Sequence, residues 1–119
     1  MRTDYMSELF LCDVDDIEDG RAISVSALVS GTQQALVLVR RDEEVFAYIN
    51  ECPHFSVRLD YRPGKFEVYQ KRVLMCAHHS ALFRIEDGYC IEGPCAGNRL
   101  QIVPVSVVEG AVFRTSSLA

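Results

Sequence analysis

No apolar run in this chain approaches the roughly 18 residues needed to cross a bilayer, so nothing in it reads as a membrane-spanning helix. Met1 to Ser7 holds one arginine and no apolar stretch, which predicts no secretory leader and a cytoplasmic address. Positive charge is short as well. Twelve basic residues stand against 17 acidic ones, and the net charge of −5 argues against nucleic acid as a partner. No segment sustains a 3.6-residue apolar stripe and there is no internal repeat, which excludes helical bundles and repeat arrays. No G-x-G-x-x-G occurs, so a flavin or nicotinamide fold is not expected. Five cysteines, an odd number in a chain without an export leader, are not read as a disulfide framework.

What is present is a succession of short strands. At 119 residues the chain is expected to form one domain, 1–119. Leu9 and Leu11 end an alternating stretch, Met6 to Cys12, that suits a strand. Asp13 to Gly20 packs five carboxylates into eight residues; their irregular spacing favours a solvated loop or short helical turn over a cation site. Ala22 to Val29 sets Ile23, Val25, Ala27 and Val29 against Ser24, Ser26 and Leu28, a period of two. Gly31 to Gln34 reads as a turn, Ala35 to Val39 as an apolar strand, Arg41 to Glu44 as a polar turn and Val45 to Ile49 as the returning strand. Phe66 to Tyr69, Val73 to Met75, Leu82 to Ile85 and Tyr89 to Ile91 are further short strands. Leu100 to Val108 is a long one broken at Pro104, which demotes that part to an edge or bulge, and Ala111 to Arg114 closes the chain. Turns recur about every ten residues, the spacing of an all-β antiparallel sandwich or barrel. Tyr48, Phe66 and Tyr69 are read as core aromatics, and Cys12 and Cys90 as buried core thiols.

The chemistry concentrates between Cys52 and His79. Cys52-Pro53-His54 reads C-x-H, and Cys76-Ala77-His78-His79 reads C-x-x-H or, with His78, C-x-H. Twenty-one residues separate His54 from Cys76 and contain no further Cys or His. Each segment thus offers one thiolate and one imidazole. Zinc accepts two Cys and two His, but its usual modules bring the like ligands as C-x₂₋₄-C or H-x₃₋₅-H pairs, and each of these segments is mixed. Mixed segments suit two metals side by side, with each segment reaching both. A [2Fe–2S] centre with two thiolates on one iron and two imidazoles on the other is of this kind.

The order of motifs resembles the Rieske family: C-P-H, then C-A-H-H, A-L-F, a D-G turn and G-P-C-A-G, over roughly 50–97. The resemblance implies an all-β Rieske-like sandwich or barrel, with a cluster-binding part at about 50–97 and a basal β part at 1–49 and 98–119. It implies one [2Fe–2S] cluster per chain, Cys52 and Cys76 on one iron, His54 and His79 on the other, and Pro94 in the loop that covers it. His79 rather than His78 is the ligand by that pattern, and for Cys95 in the Pro94 loop, close to the implied cluster, packing is favoured over a redox role. The spacing between the ligand pairs is longer than the family's commonest. Ser80 and Ser56 stand where glycine is usual; if either needs a positive φ, serine costs on the order of 1 kcal/mol there. Respiratory members carry two additional cysteines and a Ser and Tyr that donate to cluster sulfurs. Val57 and His78, and Ala81 and Phe83, hold those positions here, which implies a potential at the low end of the range, around −150 mV.

With two of three histidines used, no mononuclear iron site of two His and a carboxylate can be built. The expectation is therefore not an enzyme but a Rieske-type ferredoxin: a one-electron carrier from a reductase to an oxygenase or similar acceptor. The alternatives are a small Rieske subunit of a larger oxidoreductase such as nitrite reductase, and a zinc-stabilised structural module. Residues 52–84 hold six basic and two acidic side chains, an asymmetry that bears on docking.

Overall fold

The computed structural model describes residues 9–53, 57–76 and 80–115. Eleven strands and one 3₁₀ turn form among them: β1 Leu9–Asp13, the turn Val14–Asp16, β2 Ala22–Val29, β3 Thr32–Arg41, β4 Glu44–Ile49, β5 Glu67–Tyr69, β6 Val73–Met75, β7 Leu82–Arg84, β8 Cys90–Glu92, β9 Ile102–Val103, β10 Val105–Val108 and β11 Ala111–Arg114. They build three antiparallel sheets, ordered β1-β11-β10, β2-β3-β4-β9 and β5-β6-β7-β8. The expected all-β class is what the chain adopts.

The second sheet is the middle layer, and β3 shows why. Leu36, Val37, Leu38 and Val39 are all fully buried, because successive side chains leave opposite faces of a strand and here both faces are covered. Leu36 and Leu38 join Cys12, Ile17, Val103 and Val112 in one hydrophobic cluster. Val37 and Val39 join Tyr48, Leu74, Phe83 and the cysteines at 52, 76, 90 and 95 in the other. β2 lines the first of these clusters with Ile23, Val25, Ala27 and Val29, the face its alternation predicts, and leaves Leu28 half exposed.

Turn chemistry sets the register. Ser30 and Gly31 both take positive φ, 53° and 80°, so two residues suffice to return the chain. Val29 pairs with Thr32, and β3 begins at Thr32 rather than beyond Gln34 as expected. Pro104 interrupts the C-terminal strand as predicted and moves it between layers: β9 pairs with β4, and β10 with β11. Both pieces lie at sheet edges, where a missing N–H costs least.

The acidic segment after β1 is the short helical turn expected, with its five carboxylate residues exposed to solvent and its apolar residues turned inward. Val14 and Ile17 are buried, and Asp19 accepts from the Asp42 N–H (2.8 Å) and from Lys71 Nζ (2.8 Å). Lys71 lies in the β5–β6 turn, so this contact joins the middle sheet to the third. The expected core role of Tyr69 is corrected: the residue is 43% exposed, because β5 is the edge of the third sheet. Phe66 packs on the core partly buried. Tyr48 is buried and its hydroxyl donates to the Ile85 carbonyl at 2.5 Å, tying β4 to the end of β7. Burial pushes this phenol well above its ordinary pKa. Gly88, at φ 73°, lies so close beneath the same ring that a Cβ there would stand 2.8 Å from Tyr48 Cε1.

Tyr48→Phe keeps the ring and strands a buried carbonyl. It is expected to lower unfolding stability by about 1–2 kcal/mol, read in urea as a lower midpoint at unchanged slope.

Candidate metal centre

Cys52 and Cys76 each sit on a loop that leaves the end of a strand, β4 for the first and β6 for the second. Both sulfurs belong to the same hydrophobic cluster, and both residues are fully buried. The loops close in the same way. Cys52 N–H donates to the carbonyl of Val57 at 2.7 Å, and Cys76 N–H donates to that of Ala81 at 2.9 Å, so each closure spans five residues. The Cys76 carbonyl also accepts from the Ser80 N–H at 2.9 Å. Two segments that differ in sequence are thus pinned at equivalent points. His54, His78 and His79 lie outside the described residues, as does Ser56.

A buried polar network holds the first loop. Asn50 and Asp60 are 4% and 3% exposed. Asn50 N–H donates to the Ala35 carbonyl at 2.8 Å. Its Oδ1 takes the Leu59 N–H at 2.7 Å, and its Nδ2 reaches Asp60 Oδ1 at 3.2 Å. Arg58 grips Asp60 with two bonds, Nε to Oδ1 at 3.0 Å and Nη2 to Oδ2 at 2.9 Å, and the Gly64 N–H adds a fourth donor at 2.9 Å. Burial alone would push the Asp60 carboxyl up, but the Arg58, Gly64 and Asn50 donors outweigh it and hold it below the usual carboxylate range. The loop bearing Cys52 is braced on both sides by this network. Reading the sequence missed these residues, since a lone Asn or Asp flanking a motif carries no periodic signal.

The third loop, Gly93 to Gly97, touches both of the others. Gly93 has φ 108°, and a Cβ built on it would come within 2.7 Å of Ala81 Cα. Only glycine allows the loop backbone to lie against the closing residue of the Cys76 loop. Pro94 is exposed beside it. Cys95 is fully buried, and its Sγ lies 3.2 Å from Cys52 Sγ. Read as packing, Cys95 proves to contact a candidate ligand. No spacing in the sequence announces this contact, since the two cysteines lie 43 residues apart. Cys90 donates to the Glu92 carbonyl at 3.4 Å, and burial raises its pKa, so it behaves as the core thiol it was expected to be. Cys12 does too, burial pushing it up to about 11 with help from Asp16 and Asp13.

Ser80 has φ 58°. Serine therefore does occupy a left-handed position in the second loop, where its Cβ meets the steric cost that glycine avoids.

The donor set suits a mixed sulfur and nitrogen centre. Two buried cysteines on matched loops would supply thiolates away from water, and each carries an imidazole two or three residues further along the sequence. Among the described residues, which exclude the histidines, no three His, Cys, Asp or Glu side chains gather into a metal site.

A family model described as "Rieske [2Fe-2S] domain" matches residues 7–109. The 3-phenylpropionate/cinnamic acid dioxygenase ferredoxin subunit of Photorhabdus laumondii subsp. laumondii is 30% identical over 112 residues, covering 94% of this chain and 97% of that protein. Among solved structures, the reduced complex between oxygenase and ferredoxin in carbazole 1,9a-dioxygenase matches with a TM-score of 0.75 at 23% identity, over 91% of this chain and 28% of that one. The terminal oxygenase of carbazole 1,9a-dioxygenase from Novosphingobium sp. KA1 matches with a TM-score of 0.79 at 21% identity, over 94% and 30%. At these identities the solved structures share the fold, and this chain spans less than a third of each.

Two outcomes test the loop architecture. Because the Asp60 pKa is depressed in the folded state, its contribution is complete above the unfolded value of about 4 and is lost as pH falls through the folded value. Asp60→Asn is expected to cost about 2 kcal/mol at neutral pH, with the deficit narrowing in acid, as followed by denaturant unfolding at pH 7 and pH 3. Ser80→Gly should raise thermal stability, by less than about 1 kcal/mol once the added freedom of the unfolded chain is subtracted. A fall in melting temperature would show that the serine side chain makes a compensating contact.

Proposed function

The chain belongs to the Rieske [2Fe–2S] domain family, and from that premise we propose that it is a ferredoxin-type one-electron carrier, taking electrons from a reductase and delivering them to an oxygenase. One observation supports this most: the paired Cys loops lie on a chain that corresponds to a dioxygenase ferredoxin subunit along nearly the whole length of both. An oxygenase reading lacks material, since three histidines in the entire chain cannot serve both this centre and a mononuclear iron.

In this reading Cys52 and Cys76 hold one iron as thiolates, while His54 and His79 hold the other through one ring nitrogen each. The bound cluster supplies a reversible one-electron couple. The protein's part is to exclude water from the sulfurs, which the complete burial of Cys52 and Cys76 achieves. Fixed loop ends also limit reorganisation when the charge of the centre changes. Ala81 and Phe83 are likewise buried and have no side-chain donor to offer, which supports a potential toward the low end of the family's range. Pro94, on the third loop, would lie over the centre. Residues at about 50–97 form the cluster-binding part, on a base of 1–49 and 98–119 within one domain. Among the described residues no helix is long and apolar enough to cross a membrane, and we place the protein in the cytoplasm, in contact with redox partners rather than with membrane or nucleic acid.

Expression in iron-replete medium should yield red-brown protein with two irons and two acid-labile sulfides per chain. Cys52→Ser, Cys76→Ser and His79→Ala should lose the colour, and His78→Ala should keep it. The loaded protein should accept electrons anaerobically from a flavin-dependent ferredoxin reductase and pass them to cytochrome c. A colourless product with one zinc per chain would sink the proposal in favour of a structural module. Full loading without reduction by any such reductase would favour a subunit fixed in a larger oxidoreductase.

A further inference from the structure

Cys95 lies 43 residues from Cys52 in sequence, yet the two sulfurs approach to 3.2 Å. Both residues are fully buried, so water does not compete for either sulfur and a bond between them is strengthened by its low-dielectric surroundings. Either sulfur could be the donor when both are thiols. A metal-bound cysteine is a thiolate and can only accept, which leaves Cys95 as the donor once Cys52 is a ligand.

The loop is built to hold that sulfur in place. Ala96 N–H donates to the Gly93 carbonyl at 3.1 Å and Asn98 N–H to the Cys95 carbonyl at 2.9 Å, two turns that overlap on Cys95. Cys90 N–H to the Asn98 carbonyl at 2.8 Å and Gly97 N–H to the Cys90 carbonyl at 3.2 Å clip the loop to β8. Gly93 rests against the backbone of Ala81, which closes the loop of the other candidate thiolate. Cys95 is thereby fixed relative to both ligand loops.

We propose that Cys95 is a positioning residue of the redox centre, donating a hydrogen bond from its thiol to the Sγ of Cys52 and so raising the reduction potential. This deepens the carrier reading and rests on Cys52 being a cluster ligand. A donor on a ligand sulfur offsets negative charge, and the reduced state carries one more electron than the oxidised state, so the reduced state gains more. Cys95 supplies from the third loop a donor of the kind that Ala81 and Phe83 cannot provide.

The test uses the iron-loaded protein. Cys95→Ala should hold the same iron and sulfide, but at a fixed ambient potential its ratio of reduced to oxidised protein should fall by about tenfold, which for a one-electron couple is 59 mV. Cys95→Ser retains a donor and should stay close to the wild type, an outcome that loss of packing alone would not produce. In resonance Raman spectra of the wild type, the Fe–S(Cys) stretching bands should shift on exchange into D₂O, with part of that shift missing in Cys95→Ala. Equal potentials in wild type and Cys95→Ala, or equal displacement by Ala and Ser, overturns the proposal. Should Cys95→Ala fail to load, the wild-type isotope shift and the Cys95→Ser potential decide: no isotope shift in Fe–S(Cys) bands, or a large fall in Cys95→Ser, overturns it. A wild type without iron and sulfide would instead overturn the carrier reading, and the metal analysis separates that failure from this one.

Discussion

Both candidate thiolates depend on one backbone constraint, the hydrogen bond from a cysteine N–H to the carbonyl five residues on. It lets two unlike sequences, one with Pro53 and one with Ser80 in a left-handed conformation, present a buried sulfur at the same point of a loop. A buried N–H left unpaired would cost more than the bond itself contributes, so the closures are required wherever the cysteines are buried. The surrounding structure follows from holding those two loops still.

Three layers do the holding. The middle sheet is buried on both faces through Leu36 to Val39, so one face can serve the basal cluster while the other serves the cluster that contains the sulfurs. Tyr48, Lys71 and Arg41 fasten the third sheet to it, through Ile85, Asp19 with Asp42, and Glu86. The surface pairs among these contribute little individually, whereas the Tyr48 bond is buried and positional. On the first ligand loop the Asn50–Asp60–Arg58 network takes the same role with charge-assisted bonds. Polar groups are placed inside this core where a loop must be aimed, and apolar ones elsewhere.

Function follows from the contrast between the sulfur side and its surroundings. Cys52 and Cys76 are fully buried in one hydrophobic cluster, and the third loop reaches both of their loops with a glycine and a thiol. Gly93 and Cys95 therefore join the two candidate ligand loops, Gly93 by lying against Ala81 and Cys95 by its contact with Cys52.

Much of this was legible in the residues. Alternation in β2, the unbroken apolar run in β3, the turn signals and the break at Pro104 are local, because side-chain direction in a strand repeats every two residues and turn types demand particular φ values. The paired C-x-H and C-x-x-H segments are local too, since chelation reads spacing along a chain. Tyr69 was misread because an edge position is not a property of its own segment. Tertiary packing alone brought Cys95 to Cys52, Gly93 to Ala81 and Asn50 to Asp60. Such contacts span distant segments, and they are set by how sheets stack and which loops meet, a global outcome that no short window of sequence carries.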